Sequence, residues 1–153
     1  MPQRMKKKTR APNGQAPRSY VMEDQVGFLM RVAMQRHTSI FMSLIPHDLT
    51  QTQFAALAKL VDVGTCSQNH LGRLIYLDAA TIKGVVDRLR VRNLVTIEVN
   101  PKDRRRSMVA VTKAGERIAR QATALARRIT RETLAPLRPI EQRQIVRLLQ
   151  KMI

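Results

Sequence analysis

Two clusters of cationic side chains are where this sequence could do chemistry. Lys83, Arg88, Arg90 and Arg92 recur within ten residues, and Lys102, Arg104, Arg105 and Arg106 follow with Asp103 among them. Guanidinium and ammonium groups at this density bind phosphate and the acceptor edges of bases. Other chemistries lack their parts. No glycine-rich phosphate loop of the GxGxxG or GxxxxGK[ST] type is present, nor HExxH or Cys-x-x-Cys. His37, His47 and His70 have no useful ligand spacing, and no serine lies in a nucleophile-elbow context. The sequence therefore predicts a protein that is not an enzyme, with no catalytic residue, metal or cofactor.

Charge along the chain supports a polyanionic partner. The 153 residues carry 28 Lys plus Arg against 11 Asp plus Glu, a net +17, although 44% are apolar. The apolar share is that of a folded domain. Residues 1–18 hold six basic residues and no acid, 83–112 eight against three, and 113–131 six against one, whereas 19–82 hold four against five. Residues 1–18 have almost nothing to bury and read as a disordered basic arm that either lies along phosphates or only solubilises. Residues 19–153 read as one domain. The single cysteine, Cys66, excludes a disulfide within the chain and fits a reducing compartment. The longest stretch without an ionised side chain, His37 to His47, is eleven residues, too short to cross a membrane, and no apolar run follows the basic N-terminus as in a secretory signal. A cytoplasmic protein, held at the nucleoid by DNA, is expected.

The elements that must position the cations follow from periodicity and caps. Val26, Met30, Ala33, His37, Ile40 or Phe41, and Leu44 recur at three and four residues, predicting a long helix over 22–45 ended by Pro46. Thr50 caps a second helix with Phe54, Leu57, Leu60 and Val61, closed by Gly64. Ser67 caps a short third helix, and Asp78 a fourth whose inner face is Ile82, Val85 or Val86, and Leu89. The close pair is a helix-turn-helix. Asn93 suits the left-handed position past the fourth helix.

The period then changes to two. Val95, Ile97 and Val99 alternate with polar residues, as do Val109 and Val111, around the basic turn 100–106. This is a β-hairpin with an arginine-loaded tip, a wing. Cys66, just before Ser67, falls in a segment able to add a small third strand, where it reads as a small buried residue. Thr112 caps a fifth helix through Ile118, Ala122, Leu125 and Ile129 to about Ala135; Pro136 and Pro139 break it, and Ile140 to Met152 forms the last. The fold class is mainly α with a small β-hairpin wing.

Ala79, Ala80, Thr81, Lys83 and Gly84 make a small, polar outward surface at the start of the fourth helix. Small residues permit close approach to base edges, Thr81 can donate or accept, and Lys83 can reach guanine or phosphate. Arg88, Arg90 and Arg92 lie where phosphate contacts are expected, against the plain alternative of a solvated face.

The segment Leu49-Thr50-Gln51-Thr52-Gln53-Phe54 with Leu57, then Val86-Asp87-Arg88-Leu89, Asn93-Leu94-Val95, Asp103-x-Arg105 and Val109-x-Val111-Thr112-x-x-Gly115 resemble the MarR family of winged helix-turn-helix transcription regulators. The resemblance covers roughly 22–152, and the wing is its most specific piece. Asn93 stands where the family usually has Gly, and the triple Arg104-Arg105-Arg106 is denser than the pattern requires. The resemblance implies a winged helix-turn-helix over 50–112 and a homodimer with interlocked terminal helices, 22–45 and 113–153. It makes Arg105 the minor-groove residue oriented by Asp103, with Arg104 and Arg106 on phosphates. The partner would be a palindromic double-stranded DNA with half-sites about one helical turn apart.

The resemblance further implies a repressor released by a small phenolic or aromatic carboxylate. Met30, Met34, His37, Phe41, Phe54, His70 and Arg73 are the residues available for such a cleft, with Arg73 a possible carboxylate partner. Methionine and phenylalanine at helical spacing are also ordinary core. The competing reading is a non-specific architectural nucleic-acid binder without an effector, for which the net charge alone would suffice.

Overall fold

The computed structural model describes residues 20–99 and 107–153 in full and the backbone of 100 and 103–106. The expected arm over 1–18 and the expected roles of the Asp103, Arg104, Arg105 and Arg106 side chains lie outside the described residues. Six helices, α1 (Val26–Leu44), α2 (Gln51–Val63), α3 (Gln68–Leu74), α4 (Ala79–Val91), α5 (Lys113–Leu134) and α6 (Pro139–Gln150), accompany strands β1 (Cys66–Ser67), β2 (Val95–Asn100) and β3 (Asp103–Val111).

Four helix starts are fixed by side chains of the residue before them. Thr50 and Gln53 form a reciprocal capping box: the Gln53 N–H donates to Thr50 Oγ1 at 3.2 Å, and the Thr50 N–H to Gln53 Oε1 at 3.1 Å. Ser67 Oγ accepts from the His70 N–H, and Asp78 Oδ1 from the Thr81 N–H. Thr112 Oγ1 accepts from the Gly115 N–H while donating to the Asn93 carbonyl at 2.8 Å, tying the start of α5 to the end of α4. Asn93 is left-handed, φ 56°, as its position requires.

The sheet is antiparallel in the order β1-β3-β2, with Cys66 opposite Val109, Val95 opposite Val111, and Asn100 opposite Asp103 after an irregularity at Val99/Asn100. Gly115 has to be glycine for this sheet to meet α5, since a Cβ there would overlap the Leu94 carbonyl oxygen. The turn between α3 and α4 is similarly tight. The Leu77 N–H donates to the Gly72 carbonyl, a Cβ on Gly72 would come within 3.1 Å of Ile82, and Tyr76 takes φ 58° with its ring in solvent. A left-handed tyrosine is an unusual solution to a turn that needs positive φ.

Leu49, Leu57, Leu60, Leu71, Ile82, Val85, Val86, Leu89, Val95 and Val109 are completely buried, one core shared by α2, α3, α4 and the sheet. The terminal helices differ. The stripe expected on α1 is covered only at its C-terminal half: Phe41 is buried, whereas Val26 and Met30 are exposed. α6 buries no residue.

Two boundaries depart from the sequence expectation. The first helix begins at Val26, because Gln25 is extended (ψ 132°) and separates α1 from a single 3-10 turn over Met22–Asp24. Pro139 starts α6 instead of breaking the chain before it, since proline at the first helical position loses no intrahelical hydrogen bond.

Candidate nucleic-acid interface and effector cleft

α4 turns Ile82, Val85, Val86 and Leu89 into the core, which sets its other face outward: Ala79, Ala80, Thr81, Lys83 and Arg88 are exposed and Gly84 half-buried. The outward groups are already engaged with one another. The Thr81 hydroxyl donates to Asp78 Oδ2 at 2.7 Å, while the Thr81 N–H holds Asp78 Oδ1 at 2.8 Å. These bonds pull the Asp78 carboxyl below its ordinary range. Lys83 Nζ pairs with Asp87 Oδ2 at 2.7 Å, which lowers the Asp87 carboxyl likewise. The Arg88 guanidinium lies over Gly84, where a Cβ would stand 3.3 Å from it, a tight contact that the flexible end of the arginine can relieve by a few tenths of an ångström.

The three arginines at the end of α4 are not equivalent. Arg88 and Arg90 face solvent. Arg92 is half-buried and donates to Gln53 Oε1 at 3.4 Å and to the His47 carbonyl, so it clamps the end of α4 to the start of α2 instead of presenting a solvated face. The carbonyl reaches it because His47 and Asp48 are both left-handed, φ 63° and 48°. The sequence shows Arg92 only as the last of a basic series; nothing local in it announces a partner 45 residues away.

A second feature lies between α1, α2 and α5. His37, Phe41, Gln51, Phe54, Ala126, Ile129 and Thr130 line a cleft of about 220 Å³. The rings are tilted against one another, Phe41 to Phe54 at 6.0 Å and His37 to Phe41 at 6.4 Å between centroids. His37 Nδ1 is 2.9 Å from Thr133 Oγ1 on α5, which fixes the imidazole plane. Gln51 Nε2 donates to Thr38 Oγ1 across the α1–α2 edge. The space is smaller than the roughly 300–1,000 Å³ of sites for drug-sized molecules, a size for a one-ring ligand.

Of the seven residues expected around such a cleft, His37, Phe41 and Phe54 come together. Met30 and Met34 sit further up α1, exposed. His70 and Arg73 lie on α3, 3.4 Å apart, and Arg73 lines a different depression with Asn69, Leu77, Asp78, Ala79 and Ile82. Gln51, which the sequence marks only within the segment that carries the resemblance, joins the cleft with Ala126 and Thr130, which it does not mark; the apolar stripe of α5 gives its inner face but not the helix it meets.

Cys66 is buried against β3, and burial pushes its thiol up, away from the thiolate a redox sensor needs. Among the described residues no group of three or more His, Cys, Asp or Glu could hold a metal ion, and no helix is long and apolar enough to cross a membrane.

Comparison with known proteins gives this geometry its context. Residues 47–106 match the model of the MarR family. The chain is 39% identical to the HTH-type transcriptional repressor NicR of Pseudomonas putida, over 97% of this chain and 96% of the relative. A crystal structure of a probable transcriptional regulator from Pseudomonas aeruginosa superposes with a TM-score of 0.82 at 45% identity, covering 87% of this chain and 100% of that one. Bordetella bronchiseptica BpsR, whose DNA binding is regulated by 6-hydroxynicotinic acid, superposes with a TM-score of 0.81 at 40% identity, covering 87% and 96%. This chain, with its helix-turn-helix, winged sheet and near full-length relatives, belongs to the MarR family of transcriptional regulators.

Proposed function

We propose that the protein is a homodimeric repressor that binds a palindromic double-stranded operator in a sequence-specific manner and is released from it by a small aromatic carboxylate. The observation that carries the effector half is the cleft in which His37, Phe41 and Phe54 meet α5. Two phenylalanine rings supply stacking surface, and His37, Gln51 and Thr130 supply polar groups for a carboxylate or ring substituent. BpsR responds to a hydroxylated pyridine carboxylate, which is the right size and polarity for this space.

The cleft is a place from which a ligand could govern DNA binding. Phe54 and Gln51 belong to the first turn of α2, and the neighbouring Gln53 accepts from Arg92 at the end of α4. A ligand that shifts the start of α2 therefore pulls on the helix that faces DNA. α4 and the wing carry the cations for the duplex, with Ala79, Ala80, Thr81, Lys83, Gly84 and Arg88 on the major groove and Asp103 to Arg106 at the wing. The dimer rests on α1 and α6, whose Val26, Leu29, Met30, Met34, Leu148 and Leu149 stand exposed among the described residues.

The test is fluorescence anisotropy of a palindromic duplex with and without 6-hydroxynicotinic acid. The acid is expected to release the duplex from the native chain, and His37→Ala to raise the acid concentration required about tenfold, the worth of one good polar contact. Release unchanged by His37→Ala would remove the ligand from this cleft.

A further inference from the structure

The outward surface of α4 has a hydrogen-bond polarity that its sequence leaves open. A threonine hydroxyl has one proton and two lone pairs. In Thr81 that proton points at Asp78 Oδ2, 2.7 Å away, and the carboxylate cannot swing aside because its other oxygen caps the helix through the Thr81 N–H at 2.8 Å. What Thr81 shows to solvent is therefore its lone pairs and its methyl group. Asp78, ionised, is an acceptor only. Ala79 and Ala80, exposed beside it, add methyl groups and no polar atom. The first side-chain donor along this surface is Lys83, which is paired with Asp87.

We propose that Thr81 is a specificity-determining residue that reads its base pair as an acceptor, selecting a base whose major-groove edge carries an amino group and rejecting guanine at that position. The inference rests on α4 being the helix that enters the major groove. Adenine N6 and cytosine N4 are the only amino donors on that edge, whereas guanine offers O6 and N7, both acceptors. To bond guanine, Thr81 would have to withdraw its proton from Asp78, leaving an unsatisfied carboxylate oxygen facing polyanionic DNA. Adenine is the better fit of the two amino bases, because its partner thymine places a methyl group in the groove for Ala79, Ala80 or the Thr81 methyl to cover. Asp78 thus acts as a positioning residue, setting the direction of a hydroxyl that touches the base.

The experiment is selection of duplexes from a randomised pool at one salt concentration by the native chain, Thr81→Val and Asp78→Asn. The position that loses its preference in the Thr81→Val pool is the one Thr81 reads; the native chain is expected to enrich adenine or cytosine there. Where it is adenine, replacing it by purine, which lacks the amino group, is expected to weaken native binding about five- to tenfold and to leave Thr81→Val binding unchanged. The selection itself separates adenine from cytosine, and uracil in place of the thymine opposite a selected adenine then reports the methyl contact. Asp78→Asn keeps a cap of equal quality. Its amide can donate to Thr81 Oγ1, which frees the hydroxyl proton, so the preference is expected to move toward guanine; circular dichroism checks that the variant is folded. Guanine or thymine at the Thr81-dependent position of the native chain would overturn the proposal, as would an amino-group effect that persists in Thr81→Val. A pool from which the native chain selects no sequence would overturn the recognition role of α4 itself, a different failure from selection of the wrong base.

Discussion

The helix-turn-helix lobe and the terminal helices of this chain are built to different standards of closure. In α2, α3, α4 and the sheet the apolar residues face one another and are completely buried. In α1 and α6 a comparable number of apolar side chains face outward, Leu148 at 58% and Met34 at 54% exposure. α6 keeps its apolar residues to one stripe, whereas α1 exposes them on more than one side, Val32 and Met42 as well as Met30. The lobe is closed by the described residues themselves, whereas the outward apolar faces of α1 and α6 are the surface that the proposed dimer would cover. Charge divides along a different line: the segment 19–82, which holds α1, α2 and α3, is near neutral, and the cations lie in residues 1–18 and from residue 83 onward.

Substitutions in the two regions should separate them. Ile82→Ala, at a completely buried position behind the outward surface of α4, is expected to cost about 2–5 kcal/mol of stability at any protein concentration, measured by urea denaturation. Leu148→Glu combined with Leu149→Glu is expected to yield monomers in sedimentation and to weaken binding to a palindrome by about 100-fold or more, through loss of the second half-site. Far-UV circular dichroism of the lobe should survive that change. A pair variant that remained dimeric would place the interface elsewhere.

Arg92→Ala should have an intermediate effect. It removes a half-buried clamp between α4 and the start of α2, and is expected to cost about 1–2 kcal/mol in denaturation. Its greater consequence is predicted for release: with the link cut, the aromatic acid should still bind but should displace the duplex less completely.

The smallest effect concerns pH. The Asp78 carboxyl is held below its ordinary range in the folded chain, by hydrogen bonds from Thr81 first. A group with a lowered folded-state pKa stabilises above the unfolded value, about 3.9, and loses that contribution as pH falls through the lower folded value. Denaturation midpoints of the native chain should therefore fall on acidification below about pH 4, and Asp78→Ala should flatten that dependence while leaving the slope between pH 6 and 8 unchanged.

What could be read from the sequence follows the range of the interactions concerned. Thr50, Ser67, Asp78 and Thr112 were legible as caps because each bonds an N–H three residues away. The alternation around 95–111 made the wing visible for the same reason. Half of the cleft was legible, since His37, Phe41 and Phe54 lie on apolar stripes of their own helices. The α5 wall, Ala126 and Thr130, was not, because periodicity gives a helix its inner face but not the helix it will meet. Arg92 and the Thr81–Asp78 pair show the same limit on the outward side of α4. A cation in a basic series reads as a phosphate ligand until the fold brings Gln53 and the His47 carbonyl against it, and a hydroxyl reads as donor or acceptor until a carboxylate takes its proton.

The central claim, that α4 and the wing grip a particular duplex and that the cleft controls the grip, is tested most directly by one titration. A duplex selected from a randomised pool and an unrelated duplex of equal length are titrated with the protein at a single salt concentration, with and without 6-hydroxynicotinic acid. The account predicts that the selected duplex binds about 10³-fold or more tighter than the unrelated one, and that the acid abolishes most of this difference. Equal affinity for both duplexes, unaffected by the acid, would contradict it and leave a non-specific polyanion binder in its place.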